Sequence, residues 1–305
     1  MVGPLFYNIY LIDLLLFTGY FDLVNYADDN TPYGCKKSIE EDIVTLENST
    51  ASIFLWVDYN YLKAEKSHVV LSHNHERCIN ITSESIQNTP YEKLLGIIID
   101  SELKFDIHVK GLCKKANLKL HALARISNFM STTKLKILMK SFILSQFNYC
   151  PLVWMFYSRE CNNLINRVHE KALRIAYKDY TSSFQELLSN DKSVTIHNRN
   201  LQLLATEVYK YLNGLSPKIM EQVFKLHDNI YDLRSDVSLK EYNIKTVHYG
   251  QQSITYLAPR IWKLVPAVIK ESPSIQSFKL KIKTWVPMNC PCRLCKRYVP
   301  NLGFV

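Results

Sequence analysis

The spacing of apolar residues changes three times along the chain. Residues 1–17 are almost continuously apolar and predict a mostly apolar helix or a buried segment. Leu23, Val24 and Tyr26, then Thr31 and Tyr33, flank Asp28-Asp29-Asn30 with strand-prone side chains. Asp-Asp-Asn is turn chemistry, so Asp22–Tyr33 predicts a β-hairpin with acid at its tip. Ile39, Ile43, Leu46, Ile53 and Trp56 recur at helical spacing behind Ser38, and Glu41 stands where a capping box places it. Glu40, Glu41 and Asp42 suit the positive end of a helix, and together these features predict an amphipathic helix over 38–60. Short β-prone runs follow at 67–72, 78–81 and 94–99, with His73-Asn-His and Asn88-Thr-Pro as turns.

From Asp106 the pattern becomes helical. Leu112, Ala116, Leu120 and Leu123 share one face, and Lys110, Lys114, His121 and Arg125 share another. A second helix over Thr132–Leu144 carries Lys134, Lys136 and Lys140. A third, near Asn162–Lys178, turns Ile165, Val168, Ala172 and Ile175 inward and Arg167, Lys171, Arg174 and Lys178 outward. The aromatic stretch Phe147–Trp154 predicts a buried hinge between those two helices, with base stacking as the alternative. Another helix over 194–213 stops at Gly214 and Pro217. Past Asp228 the chain reads as polar loop up to Tyr256–Trp262, and Ser277–Trp285 reads as a short basic helix. The fold class is α+β, with a hairpin, short antiparallel strands and a packed helix first, and a mostly helical region after.

Charge sharpens this division. The 305-residue chain has a net charge of +9. Residues 1–60 hold nine acids and two bases, a balance of −7, which leaves +16 on the rest. Each basic stripe alone is equally a solvated helix face; three in succession favour a surface that neutralises phosphates. The eight cysteines form no ladder of the secreted kind, which points to a reducing intracellular compartment, nucleus or cytoplasm. The apolar start lacks a basic segment before it and contains Asp13, so it reads as neither a secretory signal nor a membrane span. Cys290, Cys292 and Cys295 put three thiols within six residues, a set that selects Zn²⁺. No His or Cys follows Cys295, and the nearest preceding His is His248, so the set lacks an apparent fourth ligand and reads equally as a reduced cysteine-rich tail.

The acidic turn suits Mg²⁺, which binds one or two carboxylates together with phosphates and water; an ordinary solvated turn has the same composition. The surrounding sequence adds a resemblance. Tyr26-Ala-Asp-Asp29 resembles the YxDD box of reverse transcriptases. Gly3-Pro-Leu-Phe-Tyr-Asn-Ile-Tyr-Leu-Ile-Asp13 resembles the preceding block, usually written GPLLFNIYINDL. Trp56–Ser67 resembles the following one, WxxNxLxLNxxKT, and Tyr91–Asp100 the next, with its YLGVxLD core. Four blocks in order resemble the reverse transcriptases of non-LTR, jockey-like retrotransposons.

That resemblance implies a partial polymerase palm over 1–105, a helical thumb over 106–225, and a C-terminal region over 226–305 with the cysteine-rich tail. It implies RNA template, DNA primer and deoxynucleoside triphosphates as partners, and two-metal nucleotidyl transfer as the chemistry. Asp28 would bind Mg²⁺ with Asp29 beside it, and Tyr26 and Ala27 would flank the primer end. Lys66 would meet the departing pyrophosphate, or else be a surface lysine closing a helix. Leu95 and Gly96 would belong to a primer-grip hairpin, and Lys110 and Lys114 to a backbone-tracking thumb. The family's glycine-rich turn and second aspartate strand, which stand upstream, have no counterpart here. The chain therefore reads as an N-terminally truncated copy, inactive alone; the alternatives are a non-catalytic basic nucleic-acid-binding protein or a retroelement relic.

Overall fold

The computed structural model describes residues 3–17, 22–27, 29–36, 38–62, 67–71, 78–81, 84–226, 239–246, 249–288 and 290–296. They belong to two compact units, Met1–Leu103 and Lys104–Val305. The protein is mixed α+β, 59% helical and 11% strand, and all six strands among the described residues lie in the first unit.

In the first unit, α1 (Gly3–Phe17) meets α2 (Ile39–Tyr59) through Leu11, Leu14 and Trp56, with Tyr7 and Ile53 alongside. The Tyr10 ring stands edge-on to Trp56 at 5.6 Å, and its hydroxyl donates to the Asn60 carbonyl at 3.0 Å. α2 starts where its cap dictates, with Ser38 Oγ accepting from the Glu41 N–H at 3.2 Å. Ile43, Leu46 and Phe54 of α2 pack with Leu71, Ile79 and Ile81 in a second small core.

The strands form three separate antiparallel hairpins. They are β1–β2 (Leu23–Tyr26, Asp29–Pro32), β3–β4 (Cys78–Ile81, Glu84–Gln87) and β5–β6 (Tyr91–Leu94, Ile97–Asp100). The expected strand over 94–99 is instead interrupted. Leu95 and Gly96 take φ of 47° and 88°, so the apolar run folds back on itself as a two-residue hairpin turn. Over 67–72, the described residues contribute only a bridge from Val69 to Asn88.

The second unit begins with α3 (Asp106–Ile126), which packs along α6 (Arg159–Tyr177). Ala116, Leu120 and Leu123 of α3 are buried, as are Ile165, Val168, Ala172 and Ile175 of α6. Lys110, Lys114, Arg125, Arg167 and Lys171 face solvent. The aromatic stretch is buried only in part: Phe147 and Trp154 are fully enclosed, with the indole N–H donating to the Tyr149 carbonyl at 2.9 Å, whereas the Tyr149 side chain is 55% exposed. Helix α4 (Thr132–Leu138) widens into a π-helical turn, Met139–Ile143, and ends in a 3₁₀ turn. α5 (Pro151–Trp154) and α7 (Phe184–Asp191) follow, the latter opened by a reciprocal capping box of Ser183 and Glu186.

Helix α8 (Ile196–Leu212) is the centre of the C-terminal half. Leu201, Leu204, Ala205 and Val208 are fully buried, and this apolar stripe must be covered. The cover comes from α10 (Ile254–Leu264) and α12 (Ile275–Ile282) through Leu257, Ala258, Ile261 and Phe278. The compact unit from Lys104 onward thus includes both segments that the sequence separated at residue 225, because α8 on one side of that point is roofed by helices from the other. Short helices α9 (Met220–Val223), α11 (Ala267–Lys270) and α13 (Arg293–Lys296) complete the series. No helix among the described residues is long and apolar enough to cross a membrane.

Candidate metal centre

The three C-terminal thiols acquire a fourth partner from far upstream. His197 is the second residue of α8, whose first turn is fixed by Thr195 accepting from the Asn198 N–H at 3.2 Å. That cap sets the helical phase and turns the imidazole inward beside Ile196, so that only 6% of His197 is exposed. Its Nε2 lies 3.3 Å from the Sγ atoms of both Cys292 and Cys295. One ligand atom from each of His197, Cys290, Cys292 and Cys295 lies within 4.8 Å of the other three.

These separations can be set against a tetrahedral ion. Bonds of about 2.3 Å to sulfur and 2.05 Å to nitrogen give S···N edges of about 3.5 Å and S···S edges of about 3.8 Å. The observed distances are within a few tenths of an ångström of the first and compatible with the second, so the four residues can hold a metal ion. The missing fourth ligand of the sequence reading is therefore His197, and the residue nearest in sequence, His248, lies outside the described residues.

Electrostatics inside the cluster act on its members in opposite directions. Thiol hydrogen bonds from Cys290, then Cys295, drive Cys292 towards the thiolate against its burial, and the imidazole adds to this. The same contacts push the Cys290 thiol up. Burial pulls His197 down, but hydrogen bonds from its protonated ring to Cys292 and Cys295 outweigh it and hold the imidazole at about 9. The other ring nitrogen, Nδ1, is buried without a partner among the described residues, which leaves Nε2 as the ligand atom. A cavity of about 20 Å³ beside His197, Cys292 and Tyr157 has room for one water and no substrate. Four protein ligands are the complement that structural metal centres use.

The acidic hairpin is only partly described. Tyr26 pairs with Asp29 across a two-residue turn, and Ala27 in that turn takes φ of 51°, a region unfavourable for a residue with a Cβ. Tyr26 and Asp29 are exposed. Asp28 and Lys66, expected to carry the chemistry, lie outside the described residues. The turn bearing Leu95 and Gly96 belongs to a separate two-stranded sheet. Lys110 and Lys114 sit exposed on α3 in the second unit. Among the described residues, the hairpin does not contribute to a group of three ligands; the His-Cys cluster is the one that does.

The sequence held one signal for His197. Residues 196, 197, 200, 201, 204, 205 and 208 form the inward face of α8, and a histidine on such a face needs a polar partner. Its distance from the cysteines, 98 residues to Cys295, hid the pairing. In comparisons with known proteins, no family, no curated protein and no solved structure matches this chain.

Proposed function

We propose that this chain is a nucleic-acid-binding part of an RNA-directed DNA polymerase of the non-LTR retrotransposon kind, with its C-terminal unit organised on a Zn²⁺ ion. The observation that carries the reading is the division of charge between the two compact units. Residues 1–103 contain 6 basic and 15 acidic side chains, net −9; residues 104–305 contain 31 and 13, net +18. A helical unit so basic is suited to a polyanion, and exposed Lys110, Lys114, Arg167 and Lys171 offer cations to phosphates from two packed helices. The acidic unit carries Asp28 and Asp29 on the hairpin that resembles the polymerase box, where Mg²⁺ and a deoxynucleoside triphosphate would meet the primer end. Three thiolates with one imidazole favour Zn²⁺ over harder divalent ions, and a reducing nuclear or cytoplasmic setting would keep the thiols available.

Fluorescence anisotropy with an RNA–DNA hybrid tests the binding. Affinity is expected to fall steeply with salt, and Lys110→Glu with Lys114→Glu is expected to weaken it and flatten the salt dependence. No binding at low salt sinks the proposal. Primer extension on an RNA template separates polymerase from plain binder: extension that needs Mg²⁺ and vanishes in Asp28→Ala supports catalysis, whereas binding without extension supports a non-catalytic nucleic-acid-binding role. Metal analysis is expected to find one zinc per chain, lost in Cys292→Ser.

A further inference from the structure

Helix α8 carries three polar fasteners on its covered side, and their order along the chain is informative. The Tyr209 hydroxyl donates to the Ser272 carbonyl at 2.6 Å. The Gln202 amide donates to the carbonyls of Lys283 and Trp285 at 3.1 and 2.7 Å. His197 meets Cys292 and Cys295. As the C-terminal segment advances from 272 to 295, its partners on α8 recede from 209 to 197. Residues 272–295 are thus a strap running antiparallel along about 18 Å of helix.

The strap is not held evenly. Its inner part is anchored by Phe278, fully buried and stacked on Tyr209 at 4.3 Å, and by Ile282 and Trp285, both buried. Beyond Trp285 this support ends. Val286 is half exposed and Met288 is 85% exposed, with only Pro287 buried between them, so two of the three apolar side chains here face water. The outer part returns to the protein through Cys290 and Cys292, which are buried, and the partly buried Leu294 and Cys295. Three of these four are small thiols whose burial is weak adhesion, so the metal bonds are the principal tie.

We infer that the metal centre is a latch for the outer strap. With Zn²⁺ bound, Cys290, Cys292 and Cys295 are tied to His197 in the first turn of α8; on its removal the segment beyond Trp285 releases while the inner strap and the α3–α6 pair stay folded. The inference rests on the zinc reading above and adds a regulated element: zinc availability sets whether the start of α8 is covered.

Hydrogen exchange on the full chain tests it, with zinc content measured on the same samples. Chelation of the wild type, and separately Cys295→Ser, is expected to speed exchange across 286–296 by at least about tenfold and to leave the amides of 165–176 in α6 unchanged. If one zinc binds and its removal leaves 286–296 as protected as before, the latch is overturned and the zinc reading stands. If removal also unprotects α6, the latch is overturned in favour of a metal that holds the whole unit. If no zinc binds under any condition, both readings fall together.

Discussion

Replacing Gln202 by leucine removes the middle fastener of the strap while keeping side-chain volume nearly constant. Gln202 is 6% exposed, and its Nε2 serves two carbonyls at once, those of Lys283 and Trp285. The buried Trp285 carbonyl deprived of its donor costs about 1–3 kcal/mol and the part-buried Lys283 carbonyl about 1 kcal/mol, together about 2–4 kcal/mol. Burying leucine in place of an amide recovers roughly 1 kcal/mol. The expected net loss is about 1–3 kcal/mol. Urea unfolding of the zinc-loaded chain, followed by tryptophan fluorescence, should show a midpoint lowered by about 0.3–1 M at a slope near 3 kcal/mol/M. Tyr209→Phe, which removes a single hydrogen bond, should cost about 1 kcal/mol. If the strap moves as one body, the double variant will lose less than the sum of the two. A Gln202→Leu protein as stable as the wild type would refute the reasoning, because the strap would then owe nothing to this amide.

Other perturbations probe other parts of the fold. Trp154→Ala empties a fully buried site beside His108 of α3 and Tyr157 and removes the bond to the Tyr149 carbonyl, so thermal unfolding should report a loss of about 3–5 kcal/mol. Gly96→Val forces a β-branched residue to the φ of 88° that closes the β5–β6 turn; a cost of about 1–3 kcal/mol should appear as faster amide exchange in those two strands. His169 is buried, and burial, followed by Arg199, holds it down to about 4 against the opposing pull of Asp191. Because the folded value is depressed from 6.5, the unfolded chain takes up this proton first. Its contribution is intact above pH 6.5 and falls by roughly 3 kcal/mol as pH drops towards 4. Urea midpoints measured across that window should decline less in His169→Phe than in the wild type.

Periodic elements were legible wherever spacing and cap agreed. Ser38 and Glu41 marked the start of α2, and Ile165, Val168, Ala172 and Ile175 gave both the existence and the inward face of α6. The 94–99 run misled because five of its six residues are apolar and only Gly96 betrays the turn. α7 had a readable signature in Ser183-Phe-Gln-Glu186, but at eight residues it was too short for its periodicity to stand out. α10 was obscured by Pro259, a helix breaker by sequence; the turn it weakens is held by buried Leu257, Ala258, Ile261 and Trp262. The metal centre was three-quarters visible. Its fourth corner depends on the strap reversing direction along α8, a tertiary fact with no local sequence signal.

That reversal also sets an order of assembly during translation. His197 leaves the ribosome 98 residues ahead of Cys295, so at about 5–20 residues per second α8 waits roughly 5–20 s for its last ligand. The α3–α6 pair can form in that interval, since all of its residues are already made. The inward face of α8 cannot be roofed until α10 and α12 emerge, and its first turn is sealed last of all. A nascent chain stalled within this window would display Leu201, Leu204 and Val208 as sticky surface, and would be a natural client for chaperones.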